Sequence, residues 1–267
     1  MSAREILSAA ESIAREAGAL LLERSGGALD VRLKGDVDLV TAADRASEER
    51  IVSRIRERFP DHGILAEEGG ASGDPASVEH LWVVDPLDGT TNFAAGLPIW
   101  SVSIGVLRRG ERLAGVVHDP NRGECFTALR GEGTRLNGRP VRVSEAGSLD
   151  SALLVTGFPY DIRTSPVDNL DHFERMMKVS RAVRRLGSAA IDLAYVACGR
   201  FDGFWELKLH PWDVAAGALL VEEAGGVVTD FDGGPFDVFG AEIVAGPRRV
   251  AEAMLPVLAA GRRPGRG

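Results

Sequence analysis

The chain has 267 residues, 45% of them hydrophobic and 26% charged, and a formal net charge of −8. This length and balance suit a globular α/β protein of one domain or two fused lobes, and the negative charge argues against a nucleic acid or an anionic membrane as partner. No apolar run approaches the roughly 18 residues of a membrane span. The opening MSAREILSAAES carries charge where a secretory leader needs an apolar core, and Cys125 and Cys198 form no CxxC pair, so the expected location is the reducing cytoplasm.

In chain order, Ile6, Leu7, Ala10, Ile13, Ala14, Ala17, Leu20 and Leu21 recur at steps of three and four and predict a first helix. Ser2 with Glu5 reads as its capping box and Gly26-Gly27 as its stop. VRLKGDVDLVT alternates weakly, as a hairpin or mobile loop does. A second helix begins after Thr41, lined by Ile51, Val52, Ile55 and Phe59 and closed by Pro60. From Gly63 the period changes to that of strands. GILAEE and LWVVDP are apolar runs that end in acids, and SVSIGVL, RLAGVVHD and GECFTALR are joined by turn signals at Arg109-Gly110 and Asn121-Arg122-Gly123. RGEGTRLNGRPVRVS reads as a further hairpin. After ALLVTGFP, strands and helices alternate to a last helix, RRVAEAMLPVLAA. The pattern divides into an N-terminal lobe at 1–145, a C-terminal lobe at 146–260 sharing its core, and a disordered tail at 261–267.

The chemistry concentrates in acids. WVVDPLDGTTNF brings Asp85 and Asp88 to the end of a buried strand, where like charges repel strongly. Pro86 fixes the bend between them, so both carboxylates and the Leu87 carbonyl can face one point, a hard oxygen set suited to Mg²⁺. The N–H groups of Gly89 and Thr90 can open a helix and hold a phosphate. The plain alternative is a capped turn, with Asp88 as N-cap and Asp85 in a surface ion pair. Glu67 ends its own strand as Asp85 does, which makes a shared cation plausible; alternatively Glu67-Glu68 begins a solvated loop. Asp213 in HPWDVAAG is either a helix-capping acid beside a packed Trp212 or a third carboxylate for a second metal. In DLVTAAD, Thr41 and Asp44 fit a capping box, Asp44 can orient a catalytic hydroxyl, and Asp38 can approach from a loop.

Taken together and in this order, DLVTAAD (38–44), AEEGG (66–70), VDPLDGTTNF (84–93), RRLGSAAIDLAYVACGRFDGFWE (184–206) and PWDVAAGALLVEEAGG (211–226) closely resemble the inositol monophosphatase family of lithium-sensitive, magnesium-dependent phosphatases. The resemblance runs from the first helix to about residue 246. It implies an α/β fold, a five-layer αβαβα sandwich, in a homodimer. It implies a first Mg²⁺ on Glu67, Asp85 and the Leu87 carbonyl, a second on Asp85, Asp88 and Asp213, and a third, weaker ion with Glu67 contributing. Thr90, oriented by Asp44, is implied to position the attacking water, with Glu67 counted in the catalytic set. Leu87 stands where many relatives carry Ile; the ligand there is a backbone oxygen.

On this reading the substrate is a small phosphate monoester, with phosphate at Gly89 and Thr90, and the sugar ring near Gly187, Ser188, Ala189, Glu206 and Asp213. Acids around a ring suit a neutral polyol and repel a second phosphate, which favours a myo-inositol monophosphate. Arg184 and Arg185 keep a bisphosphate open, and Glu206 can instead be a solvent-facing strand residue. No DxDx[TV] nucleophile motif is present, and His118, His172 and His210 lack the spacing for general acid work. The alternatives are a fructose-1,6-bisphosphatase, a histidinol or adenosine bisphosphate phosphatase, a dimeric regulatory platform without activity, and a structural Ca²⁺ protein.

Overall fold

The Glu5 N–H donates to Ser2 Oγ at 3.3 Å and the Ser2 N–H to Glu5 Oε2 at 2.7 Å, so the expected capping box starts helix α1 (Ala3–Arg24). The computed structural model describes residues 2–25, 31–33, 39–72 and 78–261, with backbone alone at 31–33, 39–41 and 72. Gly26-Gly27, Asp38, the side chain of Thr41 and all of the expected tail but Gly261 therefore lie outside the described residues. Ile6, Ala10, Ile13, Ala17 and Leu21 form the buried stripe of α1.

Strands β1 (Val31–Leu33) and β2 (Leu39–Thr41) pair antiparallel, the hairpin of the two alternatives, and lead into α2 (Ala42–Arg58). There follow β3 (Gly63–Ala66), β4 (Gly70–Ser72), β5 (His80–Asp88), α3 (Thr90–Ala94), β6 (Ser101–Arg108), β7 (Glu111–Asp119), β8 (Glu124–Leu129), β9 (Gly133–Leu136) and β10 (Arg139–Val141). All of these strands join one eight-stranded sheet in the order β10-β9-β8-β7-β6-β5-β3-β4. Glu67 and Glu68, both half-buried, stand in the turn between β3 and the edge strand β4. Arg109 and Gly110, both at positive φ, make the tight turn between β6 and β7.

The second half supplies β11 (Leu153–Thr156), α4 (Leu170–Val179), β12 (Ala182–Arg184), α5 (Ala189–Ala197), β13 (Gly203–Leu207), α6 (Pro211–Glu223), β14 (Val227–Thr229), β15 (Glu242–Gly246) and α7 (Arg248–Gly261). Its five strands form a second sheet in the order β12-β11-β13-β15-β14. Helices α1 and α2 cover one face of the large sheet, α5 and α6 lie between the two sheets, and α4 and α7 cover the far face of the small one. The result is the expected five-layer αβαβα sandwich. Gly261 closes α7, so the helix runs one residue into the expected tail.

The middle layer sets the geometry of everything that follows. Gly105 and Gly115 face each other across β6 and β7, under α6. A Cβ on Gly105 would lie 2.7 Å from the Ala215 Cβ, and one on Gly115 would lie 2.8 Å from the Ala216 carbonyl oxygen. Bare backbone there lets α6 rest directly on the sheet, which fixes the height of its first turn. Overpacking a filled core typically costs about 1–3 kcal/mol. Gly115→Val is expected to lower the stability of the folded chain by about that amount, read as a lower urea midpoint at unchanged m-value; a midpoint equal to wild type would show that the helix can lift without penalty.

Candidate active site

In a regular strand, residues three apart point to opposite faces, so Asp85 and Asp88 would not meet. Strand β5 avoids this with an irregularity. Asp85 pairs with Ser103 and Asp88 with Ser101, so three steps on β5 match two on β6. The extra residue is accommodated at Pro86-Leu87, where a missing N–H does no harm, and the bulge brings both acids to one side. The Leu87 N–H donates to Asp85 Oδ1 at 3.0 Å, and Ser47 Oγ of α2 donates to the Pro86 carbonyl at 2.8 Å, pinning the bend from inside and from outside.

Asp213 arrives from the opposite direction. Pro211 occupies the first turn of α6, and Asp213 Oδ2 accepts the His210 N–H at 2.7 Å. Carboxylate oxygens of Asp85, Asp88 and Asp213 all lie within 4.8 Å of one another. Glu67, delivered by β3 parallel to β5, lines the same cavity as these three and Leu87, although it is not part of the tight trio. Asp85 is 2% exposed, which rules out the surface ion pair. The N-cap of α3 is Gly89, at φ 97°, and not Asp88. A Cβ on Gly89 would crowd the Ile99 and Gly187 carbonyl oxygens at 3.0 and 3.2 Å, so sterics and φ both call for glycine.

Asp88 is instead bonded across the molecule. Its Oδ2 accepts Ser188 Oγ at 2.5 Å and the Ala190 N–H at 2.8 Å, at the start of α5, where the helix dipole favours an anion. Asn92 of α3 reinforces this junction by donating to the Ile99 and Leu186 carbonyls at 2.8 and 2.9 Å. Thr90, 7% exposed, lines the same cavity, and its Oγ1 lies 2.9 Å from Asp44 Oδ1 and 3.0 Å from the Leu87 carbonyl oxygen, either of which can accept its proton.

A second cavity adjoins the first and shares Asp88, Gly89, Tyr160, His210 and Asp213 with it. Gly187, Ser188, Ala189 and Glu206 line it, as does Arg185, which unlike Arg184 reaches the wall. Glu206 is 6% exposed, so the solvent-facing alternative fails. His118 and His172 are buried, whereas His210 stacks on Trp212 and borders both cavities. Three further participants escaped the motif reading. Asn169 ties β11 to β13, accepting the Trp205 Nε1–H at 2.9 Å and donating to Thr156 Oγ1 and the Gly157 carbonyl. Ser47 and Asp192 are the others. Asp192 is the one acid in the apolar helix AAIDLAYVA, a signal that a burial argument can find.

Burial pushes these acids away from ionisation. Desolvation, then the charges of Glu67, Asp88 and Asp213, holds Asp85 well above the usual carboxylate range. Asp213 is raised by desolvation and Asp88. Asp88 rises only to about 6, because Ser188 and the α5 amides oppose its desolvation. Glu206 is raised to about 8 by burial and the neighbouring Asp88. The folded chain therefore keeps protons that the unfolded chain has lost, and its stability falls as pH rises from the ordinary carboxyl value of about 4 towards the raised folded ones. His62, His80 and His118, lowered mainly by burial, act oppositely, but only below their ordinary 6.5. Without metal, the melting temperature is expected to fall between roughly pH 6.5 and 8.5. Excess Mg²⁺, which binds ionised carboxylates, is expected to raise it more at the upper end. Calorimetry at several pH values checks this; a Mg²⁺ shift that does not change with pH would contradict it.

The donor set of three clustered carboxylates, an adjacent Glu67 and the Leu87 carbonyl fits a hard divalent cation. Comparison with known proteins is consistent in its extent. A Pseudomonas aeruginosa protein named Nus factor SuhB is 47% identical over 261 residues, 95% of each chain. The solved inositol monophosphatase of Anabaena superposes with a TM-score of 0.88 at 43% identity over 96% of each chain. An IMPase/NADP phosphatase solved with Mg²⁺ and phosphate matches with a TM-score of 0.80 at 25% identity, over 96% of this chain and 94% of that one. The family model for the inositol monophosphatase family matches residues 2–262, and to that family this chain belongs.

Proposed function

We propose that the chain is a Mg²⁺-dependent phosphomonoesterase that hydrolyses a myo-inositol monophosphate to inositol and phosphate. The observation that carries this reading is the carboxylate trio Asp85, Asp88 and Asp213, held within 4.8 Å at the junction of two cavities. Glu67, Asp85, the Leu87 carbonyl, Asp88 and Asp213 would hold two Mg²⁺ ions, with a third, weaker one near Glu67. When bound, the ions offset the negative charge of phosphate and nucleophile and lower the pKa of water. The remaining work belongs to the chain. Thr90 gives its proton to Asp44 or the Leu87 carbonyl, so its oxygen is left to accept from a water and aim it at phosphorus. The N–H groups of Gly89 and Thr90 at the start of α3 are placed to take phosphate charge.

The leaving alcohol belongs in the second cavity, against Gly187, Ser188 and Ala189, with Glu206 and Asp213 accepting ring hydroxyls. The acids there favour a polyol over a second phosphate. The two lobes, 1–145 and 146–260, work as one unit, because Asp85 and Asp88 come from the first and Asp213 and Glu206 from the second. A cytoplasmic homodimer is the form we infer. The likeness to inositol monophosphatases of known structure supports the reading, including one solved with Mg²⁺ and phosphate.

One observation favours a second reading, a regulatory protein on this fold: the relative at 47% identity is named a Nus factor. Phosphate release from inositol monophosphate, fructose 1,6-bisphosphate, histidinol phosphate and 2′-AMP, with and without Mg²⁺ and Li⁺, separates the two. Mg²⁺-dependent turnover led by inositol monophosphate is expected, and a chain that releases no phosphate from any of them would leave the regulatory reading. Asp88→Asn is expected to lower kcat by about three orders of magnitude or more, and Thr90→Ala by about a hundredfold, with folded circular dichroism in both. Near-wild-type turnover in Asp88→Asn would exclude the cluster as the catalytic centre.

A further inference from the structure

The second cavity contains an acid to which the motif reading gave no role. Asp192 sits one turn into α5 and is 1% exposed, yet lines the cavity wall with Glu206 and Arg185. Its Oδ1 is buried with no hydrogen-bond partner among the described residues. Buried polar atoms in native proteins are almost always bonded, and leaving one unsatisfied costs about 1–3 kcal/mol. Neighbouring acids show that the fold can satisfy a carboxylate here when it needs to. Asp88 at the end of β5 takes a hydroxyl and an amide from the start of α5, while Asp192, on α5 itself, takes neither.

The surroundings indicate what is missing. Glu206 on β13 and Asp192 on α5 line the same cavity; burial and then the neighbouring acids, Glu206 and Asp88 for Asp192 and Asp88 for Glu206, raise their proton affinity, and Arg185 opposes both. Gly157 leaves the space that the Glu206 carboxylate occupies, since a Cβ there would collide with it. The other cation on the wall, Lys208, is engaged by Asp161 and Ser165 at 2.7 Å each. Two acids from different elements thus border one polar cavity with acceptors to spare. Such a pair suits neighbouring hydroxyl donors, and it disfavours an anion.

We propose that Asp192 is a specificity-determining residue of the second cavity, accepting a hydrogen bond from a polyol hydroxyl next to the one that Glu206 accepts. This rests on the reading of that cavity as the leaving-group site. The ligand class is a neutral cyclic or linear polyol carrying at least two adjacent hydroxyls. The carboxylate is then unsatisfied without ligand and satisfied with it, so its cost to the free protein becomes selectivity for the bound one.

The test uses the full chain as wild type, Asp192→Ala and Asp192→Asn. The kcat/KM for myo-inositol 1-phosphate is divided by that for p-nitrophenyl phosphate, whose leaving group offers no extra hydroxyl. In Asp192→Ala the ratio is expected to fall about tenfold, mostly through KM, and in Asp192→Asn, which keeps a carbonyl acceptor, to recover most of it. The melting temperature of ligand-free Asp192→Ala is expected to equal or exceed that of wild type, because an unpaired buried carboxyl is gone. A ratio unchanged in Asp192→Ala, or a melting temperature that drops along with both activities, would assign Asp192 a packing role and overturn the proposal. Should wild type release no phosphate, the proposed function fails on its own. Asp192 is then judged by thermal protection with myo-inositol: weaker protection in Asp192→Ala supports the proposal, and equal protection, or none in wild type, overturns it.

Discussion

Mutual repulsion among carboxylates held out of water is the constraint on which this structure turns. At separations within 4.8 Å and an effective dielectric of about 20, each ionised pair opposes folding by on the order of 3 kcal/mol or more. Three such acids at one point would spread apart if their backbones could yield. They are held because each comes from an element fixed elsewhere. Asp85 and Asp88 are clamped by a bulge between β3 and β6, and Asp213 by a helix seated on two sheet glycines. The five layers can be understood as the support for that convergence, with two sheets fixing the directions and the middle helices closing the gap between them.

The hydrogen bonds that relieve the repulsion are unevenly distributed. Asp88 receives a hydroxyl and a helix N-terminus, Asp85 one amide and Asp213 one amide. Each bond favours the ionised form, and among the described residues no Lys or Arg forms an ion pair with any of the three acids. An arginine in their midst would relieve the repulsion and at the same time remove the reason for a cation to bind. In the adjoining cavity the balance differs, since Glu206 and Asp192 share a wall with Arg185. On the proposed reading, catalysis and selection fall to two acid groups that meet at Asp88.

Much of this could be read along the chain because the acids stand at the ends of apolar runs, and such runs become strands whose carboxyl ends are functional positions in α/β sheets. The bend at Asp85-Pro86 and the helix starting at Pro211 follow from local chemistry that proline and capping residues make explicit. The Ser2–Glu5 box and the Arg109-Gly110 turn are of the same kind. What was not legible depends on partners distant in sequence. The side to which Asp88 turns is decided by a register shift against β6 and by Ser188, a hundred positions later. Gly105 and Gly115 look like ordinary strand interruptions until α6 lies across them. Glu206 and Asp192 each look like a single acid in an apolar stretch, and burial alone reveals that neither faces water.

The most direct measurement of the central claim is anomalous diffraction from crystals equilibrated with Mn²⁺, a stand-in for Mg²⁺ with similar oxygen ligands and a usable absorption edge. The expected result is strong density among Asp85, Asp88 and Asp213, with Glu67 and the Leu87 carbonyl completing the coordination. Manganese bound elsewhere, or absent from a trio that keeps its spacing, would contradict the convergence of these acids on a divalent cation.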